Sequence, residues 1–550
     1  MRRLLALSLV TVVLASCNVR PLGLPGEVTT QASSDVFPQG QNNKADILFV
    51  IDTSDSMEAK QESLKRYFAN FMEPLKRLPT PPDLHIGIVT TDMGAGPTGY
   101  GNCQPGGERG VLQNAQKGTT CGAAHLDDAS RRFLSYAIDP DGGNPITNFT
   151  GDIADAFACY ASVGTGGCGF EHQLASMKAA LAGCDQPGGC TQKLNAGFLR
   201  PDAYLAVIVL TDEDDCSAPP DSALFDSSAG AISALGPYAS YRCFQYGVLC
   251  SGVDPGRAQG PRSSCMPGNA SPDPRYQLTP VEEIATFLKG LKPQDPRMVY
   301  LSVIAAPAQP VMVGANNGTP GMMPACTGGL TVADAGKLDR ESPAIRLTRL
   351  VGLFDQDRAS FISICADDLK AAMEQVATEI GRIFHHCLAS PLVDADTASA
   401  GLQPECVVED RVTVDAQAGT FTVTAVPPCA EVVCDPAIAP GGDCKCQRHE
   451  LPAGGACWYV WSDQKTCPMI DSTKPVGELR GLASGYQFRI DRGTDVSCNK
   501  APAATGTSAV VQCASCLANP AKGAFDCSPG CAAYWPKCCA TDEPSADCLQ

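Results

Sequence analysis

Four short apolar runs constrain this chain more than any other feature: ADILFVI (45–51), LHIGIVTT (84–91), LAVIVL (205–210) and MVYLSVIAA (298–306). They are near-continuous rather than alternating, so they read as strands buried on both faces. Between and after them lie apolar stripes at helical spacing. These are Met57, Leu64, Phe68, Phe71, Leu75 and Leu78; then Phe170, Leu174, Met177 and Leu181; then residues 281–291; and finally Leu369, Met373, Val376, Ile380 and Ile383. Pro74 is expected to kink or shorten the first of these helices. Strands alternating with helices predict an α/β fold, a doubly wound and mainly parallel sheet with helices on both faces. The 550 residues leave room for a second domain.

Cysteine sets the compartment. The chain carries 29 cysteines, far more than a reducing cytosol would leave as free thiols, and disulfides persist in oxidising compartments. The N-terminus agrees. Arg2 and Arg3 precede an apolar stretch over 4–14 that is too short to span a bilayer, and then comes Leu14-Ala15-Ser16-Cys17. This resembles the bacterial lipobox, which implies a signal peptide over 1–16 and a lipidated Cys17. An ordinary secretory signal ending near Ser16 is the alternative. Without Cys17 an even 28 cysteines remain, all able to pair. Residues 17–43, polar and rich in Pro and Gly, are expected to be a flexible tether. Asn18 after the lipidated cysteine leans toward the outer membrane rather than inner-membrane retention.

Charge and motif content exclude several functions. The net charge is −18 with no Lys/Arg run, which argues against a nucleic-acid partner. Neither H-E-x-x-H nor G-x-S-x-G occurs, and of the six histidines His85 reads as a packed strand residue. No small-molecule substrate and no enzyme activity are therefore expected. Gly164–Gly169 matches G-x-G-x-x-G, a weak motif and a poor sign of a nucleotide site in an exported chain. Asp139–Asn144 reads as a solvated turn, because it lacks an EF-hand's ligand spacing. Cys513 and Cys516 read as disulfide partners rather than a redox pair.

The first and third apolar runs end in the informative residues. FVIDTSDSM after the first and VIVLTDEDD after the third resemble the von Willebrand factor type A domain, whose signature is Asp-x-Ser-x-Ser, a mid-chain Thr and a later Asp. With the lipobox, HIGIVTTDMG and LTDEDDCS, the chain is similar to bacterial surface lipoproteins carrying that domain. The resemblance covers 44–387 and implies a Rossmann-like sheet with disulfide-bonded insertions near 94–150 and 213–277. It also implies that Asp52, Ser54, Ser56 and Asp212 converge where ligands bind in open α/β sheets. Hydroxyls and carboxylates suit a hard cation, Mg²⁺ first, with Mn²⁺ or Ca²⁺ as alternatives. Aligned by the following helix, Cys168 stands where the family places its threonine, so Thr165 or Glu171 would supply that oxygen, or water would. Glu213, Asp214 and Asp215 read as solvent-facing.

From 387 onward there are 16 cysteines, and 12 precede them apart from Cys17; both counts are even. Residues 388–550 read as a small, Cys-rich, mostly β domain, with a hairpin over 411–426 and strands near 457–461 and 485–490. The functional expectation is a lipid-anchored envelope protein, on the outer membrane, that binds an acidic side chain of a protein partner through its divalent ion. A metal-indifferent scaffold of the envelope is the alternative, motivated by Cys168. The serines and aspartates would then merely cap a helix.

Overall fold

The computed structural model describes residues 31–38 and, with breaks, 44–531; the longer stretches left out are 115–130, 183–193, 227–234, 327–339, 435–446, 468–484 and 494–506. Its principal strands are Gln31–Pro38 (β1), Lys44–Ile51 (β2), Asp83–Thr90 (β3), Leu134–Ala137 (β4), Ile146–Thr147 (β5), Tyr204–Leu210 (β6), Val299–Ala305 (β7), Ala359–Ser363 (β8), Cys406–Asp415 (β9), Thr420–Val426 (β10) and Thr507–Ser515 (β11). The helices are Glu58–Lys76 (α1), Ile153–Tyr160 (α2), Gln173–Leu181 (α3), Tyr241–Gly247 (α4), Val281–Gly290 (α5), Ile345–Val351 (α6) and Lys370–Phe384 (α7).

The central sheet runs β8-β7-β6-β2-β3-β4-β5. The five strands from β8 to β3 are parallel, and β4 and β5 are antiparallel. Counted in chain order, the parallel strands lie 2-1-3-4-5, so the order reverses between β2 and β6. The continuous apolar runs have the predicted cause: alternate residues of β2 face opposite cores. Phe49 packs with Phe68 and Phe71 of α1 and Phe157 of α2, while Leu48 and Val50 pack with α3, α5 and α6. Phe49 meets Phe157 edge-on at 4.9 Å between ring centroids. His85 is a packed residue as expected: its Nδ1 is 2.9 Å from the Phe198 carbonyl, and burial lowers its pKa to about 4.

Several expectations need correction. Helix α1 runs two residues past Pro74, to Lys76, so the proline does not end the helix before itself. The 94–150 stretch is more than loop, since it supplies β4 and β5 at the sheet edge. The 213–277 stretch holds α4 and two short strands, Val248–Cys250 and Cys265–Pro267, paired beside the Cys250–Cys265 disulfide. Strand β8 and helices α2 and α6 had no sequence expectation; β8 is a half-exposed edge without a long apolar run.

The tether reading fails at its centre. Gln31–Pro38 forms β1 and pairs antiparallel with β11. A second sheet, of order β1-β11-β9-β10, thus joins the two ends of the described chain. Polar composition hid this strand, because a ladder needs backbone N–H and C=O groups rather than apolar side chains. The expected hairpin is β9–β10, and the expected later strands are Cys457–Ser462 and Tyr486–Asp491, paired with each other. Their core contains Val408, Val426, Trp458, Phe488 and Val511.

Eight disulfides are described, many for a chain this size and in keeping with an oxidising compartment. Four join cysteines before 387 and four join cysteines from 387 onward; none of these crosses that point. Cys513 and Cys516 bond to Cys406 and Cys531, not to each other. Among the described residues no helix is long and apolar enough to cross a membrane. Cys17, Asp139–Gly143, Cys444 and Cys538 lie outside the described residues.

Phe49→Ala removes the ring at the centre of the α1–α2 cluster. It is expected to lower unfolding free energy by about 3–5 kcal/mol, read by denaturant titration.

Candidate functional site

The register of β2 on β6 builds the site. Ile51 pairs with Leu210, so the residues that follow, Asp52 and Thr211, leave the sheet side by side at its reversal point. Backbone bonds fix the level: Asp52 N–H donates to the Leu210 carbonyl at 3.0 Å, and Thr211 N–H to that of Ile304 at 3.1 Å. Asp52 is fully buried. Its Oδ1 accepts the Ser54 N–H at 2.7 Å, and its Oδ2 accepts the Thr211 hydroxyl at 2.6 Å.

Three of the remaining sequence candidates meet here. Ser54 Oγ lies 3.1 Å from Ser56 Oγ and 3.3 Å from Asp212 Oδ1. Ser54 and Ser56 line an open cleft of about 460 Å³ together with Thr165, Glu213, Tyr238 and Arg340. Thr165 therefore shares the cleft with the serines, in the loop that precedes α3. Cys168 is buried and disulfide-bonded to Cys103, so it has no thiolate to offer a cation. Glu171 is buried behind the rim. Thr91 donates its hydroxyl to Glu171 Oε2, and Glu171 Oε1 has no hydrogen-bond partner. Two backbone bonds hold this segment: His172 N–H donates to Thr91 O at 3.1 Å, and Cys216 N–H to Glu171 O at 2.7 Å. Among the described residues no three His, Cys, Asp or Glu side chains gather into a cage.

Electrostatics favour an added positive charge. Burial, then the charge of Asp52, pushes Asp212 from its ordinary 3.8 to about 7. Burial raises Asp52 as well. Burial, then the charges of Asp52, Asp212 and Asp92, raises Glu171 well above the carboxylate range. Burial is the first cause in each case, and a positive charge placed beside these groups would favour their ionised forms.

No family model matches the sequence, and no curated protein matches it. Two solved pilus adhesins align with it over most of its length. SpaC from Lactobacillus rhamnosus GG, in an open conformation, is 10% identical; the alignment covers 89% of this chain and 41% of that one, with a TM-score of 0.25. RrgA from Streptococcus pneumoniae is 9% identical, with 88% and 58% covered and a TM-score of 0.24. This chain thus spans less than two thirds of either adhesin, and likeness at these scores carries no argument about fold or function.

The acidic run after β6 is a solvent-facing rim only at Glu213, which lines the open cleft; Asp214 and Asp215 turn inward. Asp214 accepts the backbone N–H groups of Ile345 and Arg346, each at 3.0 Å, and so caps α6. Asp215 is buried, accepts the Leu174 N–H at the start of α3 at 3.0 Å, and pairs with Arg346 at 3.1 Å. These two carboxylates orient the helices that flank the site.

Two supporting residues escaped the sequence reading. Gln61 donates from α1 to the carbonyls of Asp52 and Gly164 at 2.8 and 2.9 Å, stapling the two site loops together. Its signal was visible: a glutamine on the apolar stripe between Met57 and Leu64. Gln173 donates to Thr211 Oγ1 at 2.8 Å and so orients the hydroxyl that holds Asp52. Gly167 is the third point of contact. Its N–H donates to Thr53 O at 3.1 Å, and a Cβ there would lie 2.0 Å from Thr53 Oγ1.

Gly167→Ala is expected to push the loop off Thr53 and cost about 1–3 kcal/mol, measured by thermal or denaturant melts. A raised carboxyl pKa means that the folded state holds its proton more tightly than the unfolded chain. In metal-free buffer Asp212 therefore takes away stability as pH rises from about 4 to about 7, at up to about 1.4 kcal/mol per unit. Asp46 and Asp214, each raised to about 6, contribute in the same window. The test is thus the comparison with Asp212→Asn, whose melting temperature should fall less over that range than wild type.

Proposed function

We propose that this chain is an exported, lipid-anchored protein of the bacterial envelope that binds a protein partner through a divalent cation. The cation would be held in a von Willebrand factor type A-like site by Asp52, Ser54, Ser56 and Asp212. One observation carries the reading: Ser54 Oγ stands 3.1 Å from Ser56 Oγ and 3.3 Å from Asp212 Oδ1, at the reversal point of the sheet. The sheet order, with one run of parallel strands and an antiparallel edge beside β3, supports the family resemblance carried by FVIDTSDSM and VIVLTDEDD. The donor set fits a hard ion, Mg²⁺ first, since it is all oxygen and half hydroxyl. An inner shell of neutral hydroxyls would leave the ion charge to spend on a partner's carboxylate. The open cleft over the serines gives that carboxylate access.

Thr165, in the cleft wall, stands as the hydroxyl nearest in role to the family's threonine, and Glu171 as a buried carboxyl held by Thr91. Anchoring at Cys17 and placement on the outer membrane rest on the lipobox resemblance. We read the protein as a binding protein rather than an enzyme. The second reading, a metal-indifferent scaffold, is favoured by the Cys103–Cys168 bridge, which occupies the position where the resemblance expects a ligand.

Titration with Mn²⁺, followed by electron paramagnetic resonance, separates the two readings. Wild type is expected to take up one ion and Asp52→Ala none, with the melting curve of the variant showing a folded chain. Equal uptake by both, or none by wild type, removes the cation from the function. Capture of envelope proteins that survives EDTA then favours the scaffold.

A further inference from the structure

We infer that Arg340 is a specificity-determining residue of the cleft, a second anchor for the partner carboxylate that the cation receives. Arg340 is exposed, and it is the only Lys or Arg among the described residues lining the cleft that contains Ser54 and Ser56. Asp55 and Glu213 are the acidic residues of the same lining, and the rest of it is neutral, so Arg340 is its one positive charge among the described residues. It makes no hydrogen bond or ion pair with another described residue. A guanidinium offers a planar fork of donors that matches a carboxylate, which is why position and fixity matter here more than charge alone.

The backbone fixes the point from which the side chain reaches into the cleft. The next residue, Glu341, has φ of 41°, a left-handed conformation that side-chain-bearing residues seldom adopt. The surrounding bonds hold it there. Ala325 N–H donates to the Glu341 carbonyl at 2.8 Å, Ser342 N–H donates to the Asp212 carbonyl at 2.7 Å, and the Glu341 N–H reaches the Asp212 carboxylate. Strain of this kind persists only where the surroundings over-determine it, and it concentrates at ligand clamps. Asp212 thus has two tasks: it faces the serines, and it pins the turn that presents Arg340 to the cleft above them. The anchoring ends at α6, whose first N–H groups are capped by Asp214.

This inference rests on the cation reading above, and the test separates their failures. The full chain is titrated with Mn²⁺. Acetate, a minimal carboxylate, is then added to the Mn²⁺-loaded protein, and its binding is read from paramagnetic broadening of its ¹³C signal. Arg340→Ala is expected to take up Mn²⁺ as wild type does, to melt as wild type does, and to bind acetate about fivefold or more weakly. Arg340→Lys, keeping the charge without the fork, should fall between them. Acetate binding unchanged in Arg340→Ala, with Mn²⁺ uptake intact, overturns the role of Arg340 and leaves the cation site standing. Absence of Mn²⁺ uptake by wild type overturns the cation reading and this inference with it.

Discussion

The pairing of β2 with β6 is the contact on which the rest depends. Ile51 opposite Leu210 delivers Asp52 and Thr211 to one point, and the hydrogen bond from the Thr211 hydroxyl to Asp52 Oδ2 joins the two loops there. A slip of one residue would turn every side chain of β2 to the opposite core and carry Asp52 off the rim. Burial on both faces prevents that slip. Phe49 cannot exchange places with Leu48 or Val50 without emptying one core and overfilling the other.

Around that contact the chain concentrates negative charge and then braces it. Asp52, Asp212 and Glu171 are all buried, and each is raised by burial and, for the latter two, by the charge of Asp52. Neutral donors offset part of the cost: the Ser54 N–H, the Thr211 and Thr91 hydroxyls, and Gln61 and Gln173 on the backbone and hydroxyl partners. Asp214 and Asp215 are put to different use, capping α6 and α3 and so directing the helices toward the site.

Disulfides do for the loops what cores do for the strands. Cys103–Cys168 ties the loop before α3 to the stretch after β3, and Cys216–Cys243 ties the end of the acidic run to α4. Such links restrict the unfolded chain as well as the folded one, which suits long loops with little apolar surface of their own. Cys168 thus gives the loop a covalent brace, and the hydroxyl of Thr165 lines the cleft beside it.

The sequence by itself determined the parallel strands that carry the site, the helices that cover most of them, and the oxidised state of the cysteines. These follow from local pattern: continuous apolar runs, helical spacing and cysteine number. It also singled out Asp52, Ser54, Ser56 and Asp212, through the resemblance of FVIDTSDSM and VIVLTDEDD to the von Willebrand factor type A signature. Only the tertiary structure decided which side chains each carboxylate meets. Asp214 and Asp215 read as a wet rim because nothing in their neighbourhood along the chain announces the N-termini of α3 and α6. Gln31–Pro38 read as a tether because its partner, β11, lies at the far end of the chain. Local pattern records the faces a residue must bury; it does not record the distant backbone or charge that will satisfy it.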